Sequence, residues 1–108
     1  MRSGDFSDDG ALAFYRRATS AGTSHLTPMI ALVERLRSRN WSRGMPYFIS
    51  HDWLCIGDSL PGVAVTHKRE GHFEVQYSTR ARQNAVAQRV PEVGQAERLV
   101  CAAYFSAS

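Results

Sequence analysis

The chain is poor in cysteine and has no long apolar run. We expect its two cysteines, Cys55 and Cys101, to be buried thiols; the alternative is a disulfide between them, if the protein is exported or if their Cα atoms lie within about 7 Å. No stretch approaches the roughly 20 apolar residues that cross a membrane. The N-terminal segment 1–10 is polar and lacks the apolar core of a secretory signal. These absences predict a cytoplasmic protein with no membrane partner.

Cofactor motifs are missing as well. The glycines are scattered through the chain, and no group of them forms a phosphate-binding loop. The adjacent carboxylates Asp8 and Asp9 are explained by the start of a predicted helix, whose positive end they complement. We therefore expect no cofactor and no metal, and an enzyme is the less favoured class.

The chain has the size and composition of one globular domain. Its 108 residues are 44% hydrophobic, which suits a single domain over residues 1–108. Of its 13 basic residues only Lys68 is a lysine, and the positive charge is concentrated in the N-terminal half. Arginines bind carboxylates and phosphates through forked donors, but a genome rich in arginine codons would produce the same bias.

Two helices are predicted near the N-terminus. Apolar residues at helical spacing indicate a helix over 8–20, with Ser7 as its N-cap. A second helix is expected over 28–39, where Thr27 would cap and Pro28 suits the first helical position. The aromatic and aliphatic run 47–56 is either one long strand or two short strands bent at Ser50–Asp52. A turn at 58–62 follows on composition.

A β-hairpin over 62–77 is the most specific structural prediction. With a three-residue loop at 69–71, Val65 lies opposite Val75, and apolar residues oppose one another along the odd-numbered face. Gly71 then occupies the loop position that needs a left-handed backbone. The even-numbered residues of the hairpin are polar, and ordinary solvent exposure would explain them. They are Thr66, Lys68, His72, Glu74 and Gln76.

The C-terminal part is predicted to be helical. A helix over 79–90 would begin at Thr79, and 95–105 fits a helix better than a buried strand. The expected fold is α+β: two N-terminal helices on a three- or four-stranded antiparallel sheet with the central hairpin 62–77, then one or two C-terminal helices. Ten apolar residues are the predicted core: Phe14, Leu32, Val33, Leu36, Val63, Val65, Phe73, Val75, Tyr77 and Leu99.

Two groups of residues resemble catalytic or metal sites, but their spacing argues against both. The predicted register places His67 and His72 on opposite faces of the hairpin, so a shared metal is not expected. Ser50, His51 and Asp52 are neighbours in sequence, and neighbouring residues rarely converge as a catalytic triad. Cys55 would lie roughly 13 Å from His51 along a continuous strand, too far for a thiol–imidazole pair.

The arginine cluster at the end of the second helix is the candidate binding site. It comprises Arg35, Arg37, Arg39, Trp41 and Arg43. Arginine and tryptophan are common anchors of protein interfaces, and tryptophan can stack on a base. The alternative is a solvated helix end whose arginines complement the helix dipole, with Trp41 buried against the sheet.

These observations favour a small non-enzymatic binding protein that occupies a partner protein's surface. Inhibitors, immunity proteins and phage anti-defence proteins are of this type. The alternative is a nucleic-acid-binding module, or a small metal-independent RNA-cleaving toxin, that uses the arginine-rich second helix. A net charge of +3 is weak for a dedicated nucleic-acid binder.

Overall fold

The computed structural model describes residues 2–6, 8–39, 45–57, 62–77 and 86–107, and it has the expected α+β class. The elements in chain order are β1 (Arg2–Asp5), α1 (Gly10–Ser20), a 3₁₀ helix (Ser24–Leu26), α2 (Thr27–Arg37), β2 (Pro46–Ser50), β3 (Trp53–Ile56), β4 (Val63–His67), β5 (Phe73–Tyr77), β6 (Val86–Val90) and α3 (Val93–Ala107).

The sheet is larger than predicted. Within the described residues, six strands form one antiparallel sheet in the order β1-β2-β3-β4-β5-β6, against an expected three or four. The run 47–56 is two strands, because the chain turns at His51 and Asp52, and His51 adopts a left-handed backbone with φ of 57°. The N-terminal segment supplies the unexpected edge strand β1, which pairs with β2.

The predicted hairpin register is confirmed. Val65 lies opposite Val75, and His67 lies opposite Phe73. Gly71 has a φ of 99°, and its N–H donates to the carbonyl oxygen of Lys68 at 3.0 Å. A left-handed backbone at this position is favourable only for glycine, which is why the loop closes here.

The helices cover one face of the sheet. Both α2 and α3 contact β4, and α3 also contacts β5. Alternate strand residues on that face are fully buried and form the core with apolar helix residues. The buried apolar residues of these strands are Tyr47, Ile49, Leu54, Ile56, Val63, Val65, Phe73 and Val75. The core prediction is wrong in degree for Phe14, Tyr77 and Leu99, which are only partly buried at its margin.

Two helix predictions need correction. Residues 86–90 are strand β6, not the end of a helix over 79–90, and Thr79 lies outside the described residues. The thin apolar face of this segment could not hold a helix on the core, whereas an edge strand is held by backbone pairing with β5. Thr27 does not cap α2, because the 3₁₀ helix runs directly into it and the Thr27 hydroxyl donates to the Ser24 carbonyl.

The other helix predictions are confirmed within a few residues. α1 begins at Gly10, and the predicted cap Ser7 lies outside the described residues. The carboxylate of Asp8 accepts the Gly10 N–H at 2.7 Å, so an aspartate supports the start of this helix. Residues 95–105 lie within helix α3, as the sequence favoured.

Candidate functional site

Three of the predicted binding arginines form ion pairs within the protein. Arg35 and Arg39 both contact the carboxylate of Glu97 on α3, at 3.0 and 2.7 Å. Arg37 contacts Asp9 at 3.0 Å. These pairs join the end of α2 to α3 and to the start of α1.

The Glu97 carboxylate is buried, with 8% of the residue exposed, and it stays ionised. Burial alone would raise the pKa of Glu97, but hydrogen bonds from Arg39 and Arg35 outweigh burial and hold the pKa below its ordinary range. The arginines retain a partly exposed surface, with 51% of the Arg35 side chain accessible. Trp41 and Arg43 lie outside the described residues, so the binding role of the cluster stays a prediction.

The Ser50–Asp52 segment is a structural turn. The main-chain carbonyl of Asp52 accepts hydrogen bonds from the Tyr15 hydroxyl at 3.0 Å and from the Thr66 hydroxyl at 2.9 Å. His51 is exposed at the turn. Burial raises the pKa of the Cys55 thiol, which disfavours the reactive thiolate. The turn therefore connects α1 to the sheet through one main-chain oxygen.

The two hairpin histidines lie on opposite sides of the sheet, as the register predicted. His67 is buried on the helix side, stacks edge-on against Phe73, and donates from Nδ1 to the His25 carbonyl at 2.6 Å. His72 is half-buried on the opposite side, and its Nε2 is buried without a hydrogen-bond partner among the described residues. No group of three or more candidate metal ligands converges in the part of the chain that the structure describes.

The face of the sheet opposite the helices, here called the open sheet face, carries a half-buried apolar patch. The register aligns Phe48 with Cys55 and Cys55 with Ala64, so the three side chains form one row across β2, β3 and β4. Trp53 lies two residues before Cys55 and on the same face. A shallow apolar hollow of about 60 Å³ lies at this row. These four residues are the apolar patch.

A polar hollow of about 230 Å³ adjoins the patch near the β4–β5 turn. Its lining residues are Lys68, Glu70, His72, Glu74 and Arg89. The even face of the hairpin is thus not simply solvent-exposed, because Thr66 is completely buried and Glu74 is 8% exposed. That prediction is wrong, since β3 and β6 flank the hairpin and add neighbours that a two-stranded unit lacks.

The Glu74 carboxylate is held as an ion within this polar hollow. The pKa of Glu74 is lowered, and the hydrogen bond from Gln76 is the largest cause. Burial opposes this shift, whereas the nearby Lys68 and Arg89 reinforce it. Arg89 Nε lies 3.4 Å from the carboxylate. The Lys68 ammonium lies 5.2 Å from the centre of the Trp53 ring and links the polar hollow to the apolar patch.

The apolar patch was missed at the level of sequence. The sequence allows the run 47–56 to be one strand or two, and the faces of β2 and β3 follow only if it is two. A two-residue turn at His51 and Asp52 sets Phe48 opposite Cys55. The alternation of large apolar residues on both sides of that turn was the available signal.

Comparison with known proteins adds no homologue. No family model, no curated protein and no solved structure matches this chain. None of the helices in the described part of the chain has the length and apolar character that a membrane crossing requires.

Proposed function

We propose that this chain is a small binding protein that acts by occupying a partner protein's surface, and that the open sheet face makes the contact. The observation that carries the proposal is the apolar patch with polar groups at its border. Interfaces commonly have this arrangement of an apolar centre and a polar rim. Phe48 and Trp53 are partly exposed, and such aromatic side chains commonly anchor interfaces.

The scaffold suits this role because the contact residues lie on strands that are paired on both sides. The patch lies on β2, β3 and β4, the inner strands whose opposite face forms the core. The backbone of paired strands is already ordered before binding, which lowers the entropy cost of forming the contact. Lys68 forms no ion pair among the described residues, so the border nearest the β4–β5 turn favours an acidic group on the partner.

The arginine cluster supports nucleic-acid binding less well. Arg35, Arg37 and Arg39 are each within 3.0 Å of a carboxylate, so binding a phosphate would compete with existing ion pairs. A salt-sensitive gel shift with RNA or DNA, removed by Arg35→Ala with Arg39→Ala, would support that alternative and contradict the proposed function.

The test compares two alanine-to-glutamate variants. Ala64→Glu places a charge within the apolar patch, whereas Ala31→Glu places the same charge on an exposed position of α2. Immobilised wild-type chain would be used to isolate a stoichiometric partner from extracts of the source cells, and binding of the purified partner would be measured by calorimetry. We expect Ala64→Glu to weaken binding at least about tenfold, and Ala31→Glu to leave it unchanged. Equal affinities of folded Ala64→Glu and wild type would exclude the open sheet face.

A further inference from the structure

The outer edge of β6 is exposed in the described structure. β6 ends the sheet, and its three central residues Ala87, Gln88 and Arg89 are exposed. Helix α3 packs over β5 and β4 and leaves Gln88 uncovered on the helix side. Backbone N–H and C=O groups along such an edge can pair with another strand.

The opposite edge of the sheet, at β1, is partly protected. At β1, the Asp8 carboxylate accepts the Asp5 N–H at 3.2 Å and the Tyr47 hydroxyl at 3.0 Å. A side chain thus occupies a backbone donor at this edge, which hinders the addition of a further strand. The two edges of the sheet are therefore not equivalent, and β6 is the one suited to pairing.

We infer that β6 pairs with β6 of a second copy of this chain, antiparallel about a two-fold axis at Gln88. The strand reads Val-Ala-Gln-Arg-Val from residue 86 to residue 90, and it is complementary to itself in this register. Val86 lies opposite Val90 of the second copy, and Arg89 lies opposite its Ala87. Branched side chains pair across the new ladder, and no like charges meet.

Neighbouring registers of the β6–β6 pair are less favourable. An axis at Arg89 would set the two guanidinium groups opposite each other, and like charges directly across a sheet are destabilising. A register shifted by a single residue would put the helix-side residues of one copy opposite the open-face residues of the other. The axis at Gln88 avoids both problems and keeps Arg89 beside Glu74 of its own chain.

The consequence is a continuous sheet whose two open sheet faces lie on the same side. A dimer of this kind would present two apolar patches to a partner. Five paired residues form a small interface, and interfaces well below 1,200 Å² are generally weak. A dissociation constant of about 100 μM is expected from strand pairing of this extent.

The first experiment measures the mass of the full chain by sedimentation equilibrium from about 10 μM to about 1 mM, a range that brackets the expected dissociation constant. The weight-average mass of wild type should rise toward the dimer. Gln88→Arg brings two positive charges together at the axis and should stay monomeric, whereas Ala31→Arg on exposed α2 should behave as wild type. Circular dichroism would confirm that both variants fold. A monomeric wild type throughout, or a dimer that survives Gln88→Arg, would overturn the inference.

The second experiment tests the axis itself. Gln88→Cys would place two cysteines opposite each other, at a Cα separation of about 4.5–5.5 Å that a disulfide can span. On mild oxidation, Gln88→Cys should form a disulfide-linked dimer faster than Ala31→Cys does. Wild type gives the background rate of linking through Cys55 and Cys101. Equal rates for the two variants would contradict the register. Neither experiment involves the partner protein, so their failure would leave the proposed function standing.

Discussion

Arg39 and Glu97, 58 residues apart in the sequence, meet through a hydrogen bond of 2.7 Å between Nε and Oε2. Arg35 donates to the other carboxylate oxygen at 3.0 Å. The last turn of α2 is thereby tied to α3. The arginines that the sequence marked for external binding also serve an internal contact.

Replacing Glu97 tests the value of that contact. Glu97→Gln keeps the shape and removes the charge, and we expect the free energy of unfolding to fall by about 1 kcal/mol, since water screens the half-exposed arginines. Glu34→Gln is the matched control, because its pair with Arg16 is 3.8 Å long and both side chains are more than half exposed. That control should change stability by less than about 0.5 kcal/mol. Urea unfolding measures both, and equal losses would contradict a special role for Glu97.

The same pair predicts a pH dependence. Because the pKa of Glu97 is lowered in the folded state, its stabilisation is present above the ordinary carboxyl value of 4.5 and is lost as pH falls through the folded pKa. The difference in stability between wild type and Glu97→Gln should therefore shrink on acidification below about pH 4.5. A difference that is constant from neutral to strongly acidic pH would refute the ion pair as its source.

The shared carbonyl of Asp52 predicts a non-additive double mutant. Tyr15 and Thr66 both donate to this oxygen, and both residues are completely buried. Burial raises the pKa of the Tyr15 phenol, so it remains a donor at ordinary pH. Tyr15→Phe and Thr66→Val should each cost about 1 kcal/mol, because the carbonyl keeps one donor in either variant.

The double variant leaves that carbonyl without a side-chain donor. We expect it to lose about 1 kcal/mol more than the sum of the two single changes, as for an orphaned buried acceptor. Thermal and chemical unfolding of all four proteins complete the cycle. Strict additivity would show that another group satisfies the Asp52 oxygen.

His67 predicts a loss of stability under mildly acidic conditions. Burial lowers the pKa of His67; the hydrogen bond to the His25 carbonyl opposes this effect, and the charges of the nearby His25 and His72 rings add to it. The unfolded chain takes up a proton near pH 6.5, while the folded chain resists it, so stability is present above that pH and declines below it. His67→Asn keeps a donor for the His25 carbonyl and removes the titration. Wild type should lose more stability than His67→Asn between about pH 7.5 and pH 5.5.

A second histidine serves as the control for that measurement. His51→Asn changes an exposed residue whose left-handed backbone asparagine tolerates well. Its stability should follow the wild-type pH profile. A His67→Asn profile parallel to wild type would mean that another group causes the decline.

Two glycine substitutions should have opposite signs. Gly71→Ala places a side chain on a residue with φ of 99°, and we expect a loss of about 1 kcal/mol although space is available. Gly94→Ala lies within α3, where a new Cβ would contact Arg35 at an ordinary 3.7 Å. That change should stabilise by about 0.5 kcal/mol through helix propensity. The midpoint of urea unfolding measures both changes. A Gly71→Ala protein as stable as wild type would refute backbone strain at residue 71.

Local chemistry determined much of this fold from the sequence alone. The hairpin register over 62–77 follows from apolar alternation and from the single glycine that permits its loop. Helix α2 follows from its apolar periodicity and Pro28, and the helix over 95–105 from the same periodicity. These signals act between residues close in sequence, so they are readable without knowing what packs against them.

Tertiary structure decided what depends on distant neighbours. Strand β6 carries too little apolar surface to specify itself, and it exists because β5 offers a backbone ladder. The apolar patch exists because pairing across three strands brings Phe48, Cys55 and Ala64 into one row. For the arginines, the sequence determined their charge and spacing on α2. Only the packing of α3 placed Glu97 between two of them, because no local pattern encodes which distant carboxylate a guanidinium will meet.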